Sequence, residues 1–296
     1  MKSPIREFFT KNSCPKFMID QAKPQDLHHL ANLIHFDSYV HRHLDYRPPL
    51  DWVGEYPFNV LKDHEKITAA LACPPDPPHV AWIRLFAVAH HAKISDAWEK
   101  LWQASLTQLR QNQNLNWIAA IPLQTWFSKL LIQEKFDLAH HILMLGWDGA
   151  KKPSQTINPE IHIRPMTLDD LNVVTAIDSK AFPPLWQISP AYITIAYHQA
   201  SVATVATYKD EVKGFQISTA TSVGGHLARL AVEPASQRLG IGYALLSDLV
   251  HQFSRRGAQT ITVNTQEDNY TSLALYKKTG FEYTGEKYPV YQLAVR

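Results

Sequence analysis

The residues best placed for chemistry lie between Leu230 and Gly242. Leu230-Ala231-Val232 is an apolar strand that Glu233-Pro234 ends, because proline supplies no ladder donor. A short loop then reaches Gly240 and Gly242, and a helical pattern follows, with Ile241, Leu245, Leu249 and Phe253 four apart and Gly257 closing it. A strand, a glycine-containing loop and a helix together turn free backbone N–H groups toward an anion. Gly240 and Gly242 remove side chains where a phosphate must touch the main chain, and Arg238 adds positive charge beside them. The spacing alone also suits an ordinary tight strand-to-helix turn. The third glycine of a G-x-G-x-x-G dinucleotide site is absent, and so is the Gly-Lys-Ser/Thr of a P-loop.

Two motifs in order sharpen this. Gln237-Arg238-Leu239-Gly240-Ile241-Gly242 resembles the Q/R-x-x-G-x-G/A signature of the GNAT superfamily, the acetyl-CoA-dependent N-acyltransferases. Asn269 to Phe281, with Leu275-Tyr276-Lys277 and Gly280, is similar to that family's N-x-x-A-x-x-L-Y-x-K-x-G-F segment. The resemblance covers residues 161–296 and implies acetyl-CoA as co-substrate, with no metal. It implies a cofactor-binding set of Leu230, Ala231, Val232, Gln237, Arg238, Leu239, Gly240, Ile241, Gly242, Tyr243 and Asn269. Within that set the loop holds the pyrophosphate. The N–H of Val232 polarises the thioester, and Leu230 bonds the pantetheine arm.

Acyl transfer to an amine needs a polarised carbonyl, a neutral amine and a proton for the leaving thiolate. The resemblance implies Tyr276 as the acid. The base departs from pattern. Ribosomal-protein N-terminal acetyltransferases, which the C-terminal half resembles most, carry a glutamate where this chain has Asn264, which takes no proton at neutral pH. Histone-type relatives carry one where this chain has His226, a residue with a suitable pKa that is equally at home as a structural strand histidine. Asn269 has a second job as helix N-cap. Lys277-Lys278 and Arg255-Arg256 read as solvated helix ends, and Glu267 as a loop residue that could face the acceptor.

These residues need a scaffold, and the chain has room for two. At 296 residues, 45% of them hydrophobic, it suits two domains. Ile19, Asp26, Leu27 and Phe86-Ala87-Val88 repeat as Ile163, Asp170, Leu171 and Leu230-Ala231-Val232 at a constant offset of 144, a half-chain repeat. At that offset Gly240 corresponds to Asp96 and Gly242 to Trp98, so the N-terminal copy keeps a fold without a cofactor loop. The expected class is α/β (α+β): two tandem GNAT-like domains, each a mixed, mostly antiparallel sheet flanked by helices. The expected order is an arm (1–15), a degenerate domain (16–150), a polar linker (151–160) and the acetyltransferase domain (161–296). In the last, strands are predicted over 202–207, 211–219, 259–264 and 288–295, and helices from 171 to about 180 and over 269–279, with a Thr167–Asp170 capping box.

Composition excludes several classes. A net charge of +2 gives no polyanion-binding footprint, so no nucleic-acid partner is expected. The fifteen histidines are scattered, and the adjacent pairs His28-His29, His90-His91 and His140-His141 point apart in helix or strand, which makes them poor joint metal ligands. Cys14 and Cys73 make no disulfide framework. No signal-peptide core and no membrane span are present, so a cytoplasmic chain, monomeric or homodimeric, is expected. The expected acceptor is a primary amine, either the α-amine of a peptide or a small amine. Two other readings remain open: a small-molecule amine acyltransferase of the two-copy, mycothiol synthase-like type, and a non-catalytic acyl-CoA-binding module.

Overall fold

The computed structural model describes residues 17–151, 153–221 and 224–295. The expected arm, with Cys14, lies outside the described residues. The N-terminal half runs β1 (Phe17–Gln21), α1 (Leu27–Phe36), β2 (Tyr39–Arg42), β3 (Phe58–Asp63), β4 (Lys66–Ala72), β5 (Val80–Trp82), β6 (Leu85–Val88), α2 (Ile94–Leu109), β7 (Trp117–Ala120), α3 (Thr125–Gln133) and β8 (Asp137–Trp147). The C-terminal half runs β9 (Ile161–Pro165), α4 (Leu171–Ala181), α5 (Pro190–Gln199), β10 (Val202–Tyr208), β11 (Glu211–Ala220), β12 (Gly224–Val232), α6 (Ile241–Arg255), β13 (Thr260–Gln266), α7 (Tyr270–Lys278) and β14 (Glu282–Ala294).

A mixed α/β architecture is thus present, with helices flanking two sheets. One sheet has the order β1-β3-β4-β6-β2 and the other β5-β7-β14-β8-β13-β12-β11-β10-β9. Each half lends its last strand to the other. β8 pairs antiparallel with β13 from Ile142↔Gln266 to Trp147↔Ile261, and β14 pairs antiparallel with β7 from Tyr291↔Ala120 to Ala294↔Trp117. β8 and β14 also pair with each other. The exchange makes the sheet continuous through both halves.

The predicted local signals act as expected. The four-residue stripe on α6 is buried at Ile241, Leu245, Leu249 and Phe253. Asp170 accepts both the N–H and the hydroxyl of Thr167, at 2.8 and 3.0 Å, ahead of α4. Asn269 caps α7 by accepting the Ser272 N–H at 3.2 Å, and Gly280 follows it with φ 96°.

Three features differ. The helix α5 has no counterpart in the sequence reading. Its signal is local: Ser189 caps it, accepting the Tyr192 N–H at 3.1 Å, and Pro190 takes the first helical position. The strand β14 begins six residues before Tyr288, bent through Gly285 at φ 93°. The constant offset also breaks at the loop. Five residues (89–93) join β6 to α2, against eight (233–240) between β12 and α6. Counted from the helix caps, the counterparts of Gly240 and Gly242 are Lys93 and Ser95, not Asp96 and Trp98. Asp96 is exposed and paired with Lys93 at 3.0 Å. Trp98 is core, stacked on Trp102 with ring centres 5.3 Å apart. The N-terminal connection is three residues shorter than the C-terminal one, and Trp98 does not occupy it.

Candidate functional site

The centre of the site is a fork in the sheet. β12 pairs in parallel with β13 only from Gly224↔Thr260 to Leu227↔Val263. Two glycines set up the close part. A Cβ on Gly224 would sit 2.5 Å from the Thr260 carbonyl oxygen, and one on Gly225 would sit 2.6 Å from the Phe253 ring. Beyond them the register against β11 skips Ala228: Leu227 faces Ser218 and Arg229 faces Ile217. A bulge of this kind re-aims a strand. Past it, Arg229 to Val232 stay paired with β11 and part from β13, leaving one edge of β12 without a ladder partner.

The fork leads directly to the anion-ready loop. Arg238 has φ 66° and Gly240 φ 95°, left-handed conformations that bring the chain into α6. The N–H groups of Gly240, Ile241, Gly242 and Tyr243 meet no backbone acceptor among the described residues, as the first turn of a helix requires. Arg238, exposed, lies two residues before Gly240 in the same loop. A Cβ on Gly242 would lie 3.2 Å from Leu275 Cδ2, so α7 packs close on that turn. Free N–H groups at a helix start are a geometry able to hold a phosphate. The residues present suit a pyrophosphate followed by an extended arm laid along the free edge of β12.

A cavity of about 590 Å³ opens from the fork, and His226, Leu230, Asn264, Asn269 and Tyr276 all line it. Val232 lies farther along the same edge. Ala231, Ile241 and Tyr243 bury their side chains, leaving the backbone to serve a ligand. The Tyr243 hydroxyl accepts the Gln155 N–H at 2.8 Å. Gln237 donates to the Val232 carbonyl at 3.4 Å, while Arg238 and Leu239 are exposed. Asn269 combines its cap with a 3.4 Å bond to Gln266. Glu267 is not on the cavity; its carboxylate is held by the backbone N–H and Nδ1 of His141, both at 2.9 Å.

Tyr276 is buried beside Phe281, and burial pushes its hydroxyl pKa well above 10. The phenol therefore holds its proton at neutral pH. His226 Nδ1 lies 2.9 Å from the Thr262 hydroxyl. The hydroxyl has the Gly225 carbonyl within 3.5 Å as an acceptor for its own proton, an arrangement compatible with Nδ1–H donating to it and the lone pair standing on Nε2. Burial lowers the His226 pKa, which keeps the ring neutral.

The 182–186 loop enters the cavity through Phe182, Leu185 and Trp186. Arg229 holds it in place. Its guanidinium makes 2.7 and 2.9 Å bonds to buried Asp178, donates to the Trp186 carbonyl at 2.7 Å and lies 3.5 Å over the Phe182 ring. Of the segment 288–291 only Tyr288 reaches the cavity; Val290 is core, and Tyr291 packs on the N-terminal half.

Sequence reasoning missed the opposite wall. His43, Asp45, Tyr46, Asp76, Trp82 and Arg84 of the N-terminal half line the same cavity. One signal could have found them: at offset 144, Trp82 and Arg84 fall on His226 and Ala228, at the fork of the copied strand. Among the described residues no group of three or more His, Cys, Asp or Glu is arranged to hold a metal, and no helix is long and apolar enough to cross a membrane.

Residues 171–281 match the family described as Acetyltransferase (GNAT) family. The chain is 23% identical over 120 residues to a [Ribosomal protein bS18]-alanine N-acetyltransferase of Escherichia coli (strain K12), covering 38% of this chain and 81% of that protein. The Salmonella typhimurium (strain LT2) enzyme of the same description is 24% identical over the same length. The whole fold is similar to a tandem GNAT protein from the clavulanic acid biosynthesis pathway, with a TM-score of 0.63 at 11% identity over 95% of this chain and 98% of that one. It is also similar to a GCN5-related N-acetyltransferase from Sphaerobacter thermophilus, with a TM-score of 0.61 at 14% identity over 95% and 96%.

Proposed function

We propose, from the premise that residues 171–281 are a GNAT-family domain, that this chain transfers an acetyl group from acetyl-CoA to a primary amine. One observation carries the reading: the free edge of β12 runs from the four unpartnered N–H groups at Gly240–Tyr243 into a cavity that holds Leu230, His226 and Tyr276. Gly240, Gly242 and Arg238 hold the pyrophosphate, with Gln237, Leu239, Ile241 and Tyr243 shaping that turn. Leu230, Ala231 and Val232 offer backbone groups to the arm and to the thioester oxygen, and Asn269 borders it. The amine nitrogen bonds to the carbonyl carbon as the C–S bond breaks. The nitrogen loses one proton and the thiolate gains one. His226 Nε2 is the group on the cavity able to take the first, and the Tyr276 hydroxyl is the donor for the second. A phenol with a raised pKa gives its proton only to a thiolate desolvated in the same cavity, which the burial of Tyr276 provides.

The acceptor follows from the missing carboxylate. A lysine side chain with a pKa of about 10.4 is roughly 0.1% neutral near pH 7.4, whereas an α-amine near 8 is roughly 20% neutral. A site with Asn264 in place of a glutamate favours an amine already partly neutral. The wall from the N-terminal half favours a small acceptor over a protein tail, because Gln199 bonds the Tyr46 carbonyl at 3.0 Å and His79 the Pro184 carbonyl at 2.9 Å, joining the halves around the cavity.

The test is release of coenzyme A from acetyl-CoA by the full chain with a panel of primary amines, followed by competition between a free N-terminal peptide and its N-blocked, lysine-containing twin. Amine-dependent release is expected, with the blocked twin slower. Coenzyme A binding without release for any amine would leave the chain a binding module and end this reading.

A further inference from the structure

The N-terminal wall of the cavity carries an excess of negative charge. Arg84 is 3% exposed; its Nη1 lies 2.5 Å from Asp45 Oδ2, and its Nη2 donates to the Asp76 carbonyl at 3.1 Å. The Asp45 carboxylate also accepts the Tyr192 hydroxyl. Among the cavity-lining side chains one guanidinium, Arg84, faces two carboxylates, Asp45 and Asp76; Ser189 bonds Asp76, and the more distant Arg47, which is paired with Glu55, also acts on it. The other cation on the cavity, Arg229, is neutralised by Asp178. The Asp76 side chain makes no ion pair among the described residues, and the cost of its desolvation raises its pKa.

Three polar atoms of residues lining the same cavity are buried without a partner: His43 Nδ1, the Tyr46 hydroxyl and Arg84 Nε. Native interiors leave few such groups, and those at a cavity wall await a ligand or water. His43 stacks on Trp82 at 4.9 Å, and burial together with the nearby Arg84 charge holds its ring neutral, so a ring nitrogen can accept a hydrogen bond from a ligand. Trp82 and Trp186, 5.4 Å apart, add aromatic faces that attract cations.

We propose that this wall is a subsite for a second, positively charged group on the acceptor, held by the Asp76 carboxylate with the Tyr46 hydroxyl and His43 Nδ1 as further acceptors. The substrate class is a small diamine, or an amino-acid derivative with a second basic group. This deepens the acetyl-transfer reading and rests on it for the identity of the reacting end. The chemistry agrees with the missing carboxylate base: a like charge a few bonds away lowers the pKa of the reacting amine and raises its neutral fraction.

The experiment measures binding without acyl transfer, so its failure is distinct from failure of the activity. The full chain, saturated with coenzyme A, is titrated calorimetrically with 1,3-diaminopropane and 1,4-diaminobutane, and with n-propylamine and n-butylamine as one-charge twins. The diamines are expected to bind about tenfold tighter than their twins, the scale of one hydrogen bond to a charged group. Asp76→Asn should erase that preference, and Tyr46→Phe should cut diamine affinity about threefold. The Tyr46 hydroxyl has no partner to lose, so its variant decides the matter should Asp76→Asn fail to fold. Equal affinity for diamine and twin, or a preference that survives the substitutions, would overturn the proposal.

Discussion

His226 and Thr262 face each other across the parallel part of the β12–β13 pair, with Nδ1 2.9 Å from the hydroxyl oxygen. With Nδ1–H donating in this bond Nε2 is free, and burial keeps the ring neutral below its usual titration range. The neutral form is the base, so the acid limb of kcat/KM should lie below pH 6.5 and activity should hold from there up to neutrality. His226→Ala should remove that limb and lower kcat/KM by about 10²-fold. A pH profile of the variant that matches the parent would take His226 out of the mechanism.

Tyr276 answers for the other proton. Tyr276→Phe should lower turnover by about 10²-fold while leaving coenzyme A affinity nearly unchanged, because only the hydroxyl is lost and the ring still packs on Phe281. Steady-state rates and a coenzyme A titration separate the two effects. Parent-like turnover would return Tyr276 to a packing role.

Cofactor should bind once per chain, in the C-terminal half. Only that half has the eight-residue connection into a helix capped by a glycine at positive φ. Gly242→Trp should abolish binding, since even a Cβ there meets Leu275 at 3.2 Å. Gly224→Ala acts differently: its Cβ would press on the Thr260 backbone, so it should cost about 2 kcal/mol of stability by parting β12 from β13. Calorimetry showing two equivalent sites, or an unshifted melt for Gly224→Ala, contradicts these assignments.

The signals legible in the sequence were those contained in one element. The α6 stripe, the Asn269 cap, the Thr167–Asp170 box and the glycines at Gly240 and Gly280 each rest on contacts within a few residues. The exchange of β8 and β14 rests on partners more than a hundred residues apart, and alternation of apolar residues does not say which neighbour a strand will choose. The loop correspondence failed for a related reason. A constant offset cannot reveal three missing residues when Trp98 and Leu245 both read as the inward face of a helix. The cavity wall of His43, Tyr46 and Asp76 has no motif; it exists only because two copies meet.

Acid should weaken the fold through a buried histidine outside the site. His41 is fully buried, donating Nε2–H to the Ile83 carbonyl at 3.1 Å, and burial lowers its pKa to about 4. Unfolded, it titrates near 6.5. As pH falls from 6.5 to 4 the unfolded chain takes up a proton that the folded chain refuses, so stability declines through that window by on the order of 3 kcal/mol and levels off from this group below it. Denaturation midpoints across the window, with an NMR titration of the His41 ring, provide the check. A ring that titrates near 6.5 in the folded protein refutes the assignment.

The exchanged strands predict that the C-terminal half cannot work alone. Removing residues 1–154 deletes β8 from between β13 and β14. Trp147 and Leu145, both buried, leave the core cluster that contains Tyr276, Leu246 and Phe253, and β13 becomes an open edge. Loss of each such side chain costs about 3 kcal/mol, so two of them with a whole strand ladder consume most of the 5–15 kcal/mol that holds a typical domain together. The truncated chain should be insoluble or expanded, and should bind coenzyme A at least about tenfold more weakly than the full chain, because α7 and the Gly242 turn lose their support. Adding back residues 17–150 as a separate chain should restore part of the binding, since the ladder can form between chains. Circular dichroism, gel filtration and calorimetry on the fragment report the outcome, and a compact fragment 155–296 with parent-like coenzyme A affinity and turnover would show that β8 is dispensable.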